Sequence, residues 1–294
     1  MRHQKEKLYG FLFAILGFSA LAFLVAITIL LAKEALPIFR HVSLWKFVSG
    51  HFWYPTYEPP EFGILPLILA SFMITAGALF VAAPLGIGAA LYLTELASSC
   101  QQAVLKPAIE ILATIPSVVF GFFGMAIVAP FFQKVFNLPT GLCALTASVV
   151  LGIMSTPFIC SLVEDAVSSI PGSFREASLA LGATRWQTLV RVILPTAGSG
   201  ISNAVTLGIS RSIGETMTVL MVAGGAAVMP RSYLEPVRPM TATIAAEMGE
   251  VSAGSLHYHA LFGIAAVLFV ITLIFNVLAE TLGHRFRIKL GSKL

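Results

Sequence analysis

The chain of 294 residues is 57% hydrophobic and only 11% charged, against roughly 25% charged residues in an ordinary soluble domain, which excludes a water-soluble globular fold. Its formal net charge of +4 is small, and the basic residues sit in short segments between apolar blocks, so nothing supports a nucleic-acid partner. The three cysteines, Cys100, Cys143 and Cys160, lie in or beside apolar stretches without metal-ligand spacing, which argues for small buried side chains rather than a disulfide frame or a zinc site.

In chain order, the first uncharged run, about residues 8–32, exceeds the roughly 20 residues a helix needs to cross a bilayer. It is too long for a cleaved secretory signal, whose apolar core is about 7 to 15 residues. Residues 33–61 follow, with Trp45, Trp53, Tyr54, Pro55, Pro59 and Pro60; aromatics of this kind suit a membrane interface. A second, bent span is expected over about 62–94 with an irregular start near Pro66. A third is expected over 107–133, where Pro116 kinks the helix and Gly121 and Gly124 allow close helix contact. The fourth occupies 139–163 and ends at Glu164 and Asp165. The fifth runs over 198–229, interrupted by Arg211 and Glu215. A proline-bearing loop and a short amphipathic piece, TATIAAEMGE, lead to the sixth, 258–282, and to a basic tail. The fold class is all-α: one transmembrane domain over residues 1–294 with six spanning helices.

Between the fourth and fifth spans, residues 171–195, PGSFREASLALGATRWQTLVRVILP, form the longest polar interruption and keep helical periodicity. Gly182 is placed to end one helix in a left-handed conformation and let a second start from Thr184, giving a bent elbow. An ordinary interfacial helix would have the same periodicity. The order Glu176, Ala177, Ser178, then Gly182, then Val192, Leu194 and Pro195 resembles the EAA loop of ABC importer permeases. Ser178 stands where that family has its second Ala, and Val192 where it has Ile. The resemblance implies that these residues form a cytoplasmic coupling helix seated in a groove of an ATP-hydrolysing partner.

With the N-terminus, the 95–106 loop, the elbow and the C-terminal tail on one side, that side carries eleven basic residues: Arg2, Lys5, Lys7, Lys106, Arg175, Arg185, Arg191, Arg285, Arg287, Lys289 and Lys293. The other side carries six, Lys33, Arg40, Lys46, Lys134, Arg231 and Arg238, and Arg211 lies within the membrane. The positive-inside rule then places both termini and the elbow in the cytoplasm. The chain has no G-x-x-x-x-G-K-[ST], H-E-x-x-H or G-x-S-x-G, so it carries no recognisable nucleotide or hydrolase site, and the energy source belongs on another chain. No inverted repeat of the secondary-transporter type stands out.

Inside the membrane, TLGISRSIGETMTVLM holds Arg211 and Glu215. Inserting either at a helix centre costs about 2.5 to 3.5 kcal/mol, so neither faces lipid. Four residues apart, the two could neutralise each other on one helical face, which makes the span insertable and nothing more. Alternatively they form an anion site: a guanidinium fork fits a tetrahedral oxyanion, and a carboxylate beside it accepts a hydrogen bond from an oxyanion that keeps a proton. Phosphate keeps one near neutral pH and sulfate does not, so such a carboxylate would favour phosphate.

FGILPLI, IPSVVFGFFG, the elbow, GISRSIGETMTVLMVAGG and GSLHYHAL together resemble the PstC-type permeases of phosphate importers, over roughly residues 45–282. Ala70 and Ser71 stand where that family commonly has Gly-Thr. The resemblance implies a type I ABC importer permease fold, no catalysis by this chain, and an inner-membrane location. It implies a heterodimer with a PstA-type permease, two cytoplasmic ATP-binding subunits that hold ATP and magnesium, and a periplasmic or lipid-anchored phosphate-binding protein. A permease for sulfate, molybdate or phosphonate would keep the elbow and change the pore. A channel or proton-linked carrier would work without the ATPase. Residues 33–61 and 230–257 are candidates to receive the binding protein, or simply pack at the interface.

Overall fold

The computed structural model describes residues 2–291, with side chains for 9–278 and 281. The expected C-terminal tail thus includes residues 292–294, which lie outside the described residues. Over residues 9–30, helix α1 (Arg2–Ala35) is apolar and uncovered: Phe11, Phe13, Phe18 and Phe23 are each at least 66% exposed. A long helix of that kind belongs in a bilayer. Helix α2 (Leu44–Ser49) is capped by the Ser43 hydroxyl, which accepts from the Lys46 N–H at 3.3 Å. A small antiparallel hairpin follows, β1 (Trp53–Tyr54) and β2 (Glu61–Phe62), with Trp53 opposite Phe62.

Helix α3 (Leu65–Leu91) starts with Pro66 in its first turn, where a missing N–H costs nothing. Helix α4 (Ser99–Thr114) begins at a Ser98–Gln101 capping box and buries none of its residues. Helix α5 (Ser117–Val135) is a candidate span. The third expected span, 107–133, is therefore corrected: α4 lies before it as a separate helix, and the break is complete. Pro116 forces Ile115 into extended backbone (φ −61°, ψ 128°), which ends α4 rather than kinking it. Helix α6 (Ala144–Ser168) begins five residues later than the expected 139, because Pro139 to Cys143 form a loop.

Helices α7 (Gly172–Ala180) and α8 (Arg185–Thr196) make the elbow, and α9 (Gly198–Ile213) leaves α8 at 66°. The short α10 (Met217–Val222) and α11 (Met240–Glu247) precede the long α12 (Leu256–Gly291). The fifth expected span, 198–229, is thus two helices with a gap at Gly214–Thr216 and a loop after Val222, where Gly224 and Gly225 have φ of +92° and +71°. Among the described residues five helices are long and apolar enough to cross a membrane, and there are six spans if the bent α8–α9 pair is taken as one. The molecule is an all-α polytopic membrane protein.

Three π turns occur among the described residues, Tyr92–Leu96 at the end of α3, Gly124–Val128 in α5 and Leu189–Ile193 in α8, and the last two are each followed by a proline, Pro130 and Pro195. A proline lacks the N–H that the carbonyl four residues back would use, so the ladder widens there. The centre of the molecule is the α3–α6 pair. Burial against lipid gives little hydrophobic drive, so close packing of small residues must hold such helices together. Gly152 sits so near α3 that an added Cβ would lie 2.7 Å from the Val81 Cβ, while Ala70, Ala78 and Ala147 are fully buried around Ile74 and Leu151. A second cluster, around Phe47, Ile64, Leu67 and Leu261, joins α2 and the hairpin to α3 and α12.

Candidate functional site

Three places bring the chemically capable side chains together. The elbow is the first. Helix α7 stops because Gly182 turns left-handed at φ +82°, its N–H bonding the Leu179 carbonyl at 2.9 Å. Helix α8 then starts from a second capping box, Thr184 with Gln187. Glu176 and Ala177 are exposed, whereas Ser178 is buried and shares a 2.9 Å hydrogen bond with Thr188 of α8. That bond explains how a serine fits where an alanine was the expected type: its hydroxyl pins the two arms together. Leu194 and Pro195 lie at the far end of α8, at the bend into α9, and do not join the Glu176–Gly182 group.

Arg175 anchors the elbow to the rest of the chain. Its Nε donates to both Glu95 oxygens at 3.0 and 3.2 Å, and Nη1 donates to the Ile170 carbonyl at 3.0 Å. Lys106 of α4 donates to Glu164 at 2.9 Å, and that carboxylate raises its ammonium above the usual lysine value. Large apolar side chains stand out from the elbow, Leu179 46%, Trp186 66% and Leu181 89% exposed, among exposed Glu176, Arg185 and Gln187. Exposed apolar side chains grouped in this way mark a surface that meets a protein partner or the membrane.

The second place is the gap between α9 and α10. Arg211 is exposed in the last turn of α9, Glu215 lies in the gap, and among the described residues no ion pair joins them. The expectation that they share one helical face is corrected. Gly214 ends the helix one residue before Glu215, so the i, i+4 relation does not exist. The Glu215 carboxylate instead lies 3.5 Å from the Thr218 N–H at the start of α10, and its carbonyl accepts from the Thr241 hydroxyl of α11 at 2.8 Å. Arg211 places its guanidinium carbon 5.0 Å from the centre of the Phe158 ring of α6. Nearby hydroxyls are all engaged: Ser155 with Ser212 at 3.3 Å, Ser210 with Asn276 at 2.8 Å, and Thr218 with the Ser117 carbonyl at 2.9 Å. Broken helices with polar ends in a membrane occur where backbone lines a cavity or is buried in protein.

The third place lies in the 33–61 and 230–257 segments. Glu247, at the end of α11, accepts from Trp53 Nε1 at 3.1 and 3.2 Å and from Arg238 Nη1 at 2.7 Å, and lies 2.8 Å from His257 Nε2. These residues line a cleft of about 540 Å³ with Tyr54, Tyr57 and Glu250. The loop before α11 also caps α6, whose first N–H groups donate to the Glu235 and Tyr233 carbonyls at 3.1 and 2.7 Å. Among the described residues no cluster of His, Cys, Asp and Glu is placed to hold a metal.

Sequence reasoning had not singled out Phe158, Ser155, Glu95, Thr188 or Glu247. Glu95 and Glu247 had a signal, being lone acids beside apolar blocks, but Phe158 is one of 22 phenylalanines and had none. Cys143 and Cys160 are buried as expected, and Cys100 is not: it is exposed on α4, because α4 is a surface helix and not part of a span.

Residues 82–288 match the family described as binding-protein-dependent transport system inner membrane component. The chain is 40% identical over 266 residues to a probable ABC transporter permease protein, YqgH, of Bacillus subtilis, covering 90% of this chain and 86% of that one. It is 34% identical over 289 residues to the phosphate transport system permease protein PstC of Haemophilus influenzae, covering 92% and 89%. Among solved structures, a bacterial alginate ABC transporter in complex with its periplasmic protein has a chain that aligns with a TM-score of 0.64 at 15% identity, over 93% of this chain and 94% of that one. A chain of the inward-facing MetNI methionine ABC transporter aligns with a TM-score of 0.57 at 21% identity, over 76% and 94%.

Proposed function

The chain belongs to the family of binding-protein-dependent transport system inner membrane components, a membrane-embedded permease subunit of an ABC importer, and from that premise we propose that its cargo is inorganic phosphate. The observation that carries the reading is Arg211. It is a cation in a membrane helix that no carboxylate among the described residues neutralises, at a polar break beside Glu215. An anion whose desolvation must be offset in the membrane needs such a charge. The guanidinium supplies paired donors to tetrahedral oxygens, and the Glu215 carboxylate, freed of Arg211, accepts the O–H that phosphate keeps at neutral pH. The likeness to relatives described as PstC supports the same cargo.

In this reading the chain pairs with a PstA-type second permease. Glu176, Ala177, Ser178 and Gly182 present the elbow to one of two cytoplasmic ATP-binding subunits, with Leu194 and Pro195 setting the bend behind it. ATP and magnesium act on those subunits, and this chain performs no catalysis. A phosphate-binding protein delivers cargo to the opposite face, near the Tyr54–Glu247 cleft, and both termini are cytoplasmic.

The test is ATP-dependent uptake of labelled phosphate by the assembled complex in proteoliposomes, with unlabelled oxyanions as competitors. Phosphate and arsenate should compete, because both keep a proton, and sulfate and molybdate should not. The Arg211→Gln variant should assemble and lose at least about 100-fold in uptake, the effect of about 3 kcal/mol of lost charge stabilisation. Competition by sulfate with none by arsenate would assign another oxyanion, and uptake without the ATP-binding subunits would assign a channel or carrier.

A further inference from the structure

We propose that Phe158 positions the Arg211 guanidinium for the passing oxyanion, holding its charge in place without neutralising it. The inference rests on the reading of Arg211 as an anion donor. An exposed arginine at a helix end has several rotatable bonds and would sample many directions unless something holds it. A carboxylate would hold it, but would also consume the donors and cancel the charge. An aromatic face does neither: the ring quadrupole attracts the cation while the N–H groups at its edge stay free.

The contrast within the molecule is direct. Arg175 spends its fork on Glu95 and on backbone carbonyls, and Arg238 spends its own on Glu247 and the Gly225 carbonyl. Both sit in structural joints. Arg211 has neither kind of partner among the described residues and lies 5.0 Å from the Phe158 ring centre. The ring itself is fixed. It follows Pro157, which breaks the hydrogen-bond ladder of α6, and it is half-buried against the cluster of Ile159, Val163 and Ala204. On one side of it, Ile159 meets Gly208 so closely that an added Cβ there would lie 2.9 Å from the Ile159 Cδ1. On the other, Ser155 and Ser212 share a 3.3 Å hydrogen bond. Two contacts between α6 and α9 thus bracket the pair, Gly208 preceding Arg211 by one helical turn and Ser212 following it directly. Any movement of α6 against α9 during transport shifts the ring and the cation together or parts them, which links the donor's direction to the conformation of the pore.

The experiment replaces Phe158 by mono-, di- and trifluorophenylalanine in the full complex and measures initial ATP-dependent phosphate uptake, with ATPase co-purification as the control for assembly. Fluorine drains the ring face of negative potential at nearly constant shape, so a packing role would give a flat series. A stepwise loss reaching about fivefold to tenfold at the trifluoro ring is expected. Phe158→Tyr and Phe158→Trp should retain transport, and Phe158→Leu should fall at least as far as the trifluoro ring. If the leucine variant does not assemble, the fluorinated chains, which keep the packing, decide. A flat series in a complex that Arg211→Gln inactivates would overturn the positioning role and leave the anion reading standing. Wild-type uptake by Arg211→Gln would remove the anion reading and this inference with it.

Discussion

Arg211 and Glu215 show how one residue changes a chemical reading. Their spacing predicts an ion pair on a helix, and Gly214 prevents it by ending α9 at Ile213. A double-mutant cycle measures the difference. With no shared contact, Arg211→Met and Glu215→Gln should be independent in stability, with a coupling energy below about 0.5 kcal/mol, and the double variant should be as inactive as Arg211→Met alone. A coupling of about 2 kcal/mol, or recovery of uptake in the double variant, would restore the ion pair. Gly182 was more legible, because left-handed backbone has a sequence signature and Arg–Phe stacking does not. At φ +82°, Gly182→Val should cost about 1 to 2 kcal/mol locally. Open space surrounds the glycine, so the strain alone should splay the elbow. ATPase co-purification should fall while membrane insertion stays normal, and an unchanged yield of assembled complex would show that the turn tolerates the substitution.

At the scale of elements, the apolar runs marked where long membrane helices occur, because the length of a span is set by the bilayer, while the bounds of the third, fourth and fifth were redrawn. Their interruptions were harder to read. Pro116 looked like a kink in a continuous run, since the apolar residues immediately around it hid the break, although Lys106 and Glu110 lie within α4. The eight-residue α11 reads in the sequence as a short amphipathic piece before the sixth span, yet both of its ends are fixed. Thr241 bonds the Glu215 carbonyl, and Glu247 gathers Trp53, Arg238 and His257. The helix therefore runs from the hairpin cleft to the gap beside Arg211. Glu247→Ala leaves the Arg238 charge without its carboxylate and should cost about 3 kcal/mol, read as a lower unfolding midpoint in detergent. Trp53→Phe, which removes one hydrogen bond and keeps the ring, should cost about 1 kcal/mol. Amide exchange at 240–247 should quicken in both, more in the first; equal protection in all three proteins would mean that the Glu247 contacts do not hold α11.

At the scale of the whole molecule, the uncovered surface indicates what the chain is built to meet. Helix α1 is bare over residues 9–30, and α5 exposes Phe122, Ile127 and Phe131, as expected of helices facing lipid or a second permease. The proposed orientation, with the elbow toward the cytoplasm, rests on the excess of basic residues on that side, a preference that acts during insertion and leaves no contact in the folded chain. It is testable with the protein's own chemistry. Cys143 and Cys160 are buried and Cys100 is exposed at the start of α4, on the side assigned to the cytoplasm. Thr56 is exposed in the hairpin turn on the other side. In right-side-out vesicles, an impermeant thiol reagent should leave the unaltered chain unlabelled and should label Thr56→Cys in a background where Cys100 is serine. In inside-out vesicles the pattern should reverse, with Cys100 reacting and the residue 56 thiol protected. Labelling of Cys100 from the outside, with Thr56→Cys silent, would invert the assigned topology, and the elbow would then face away from any cytoplasmic ATPase.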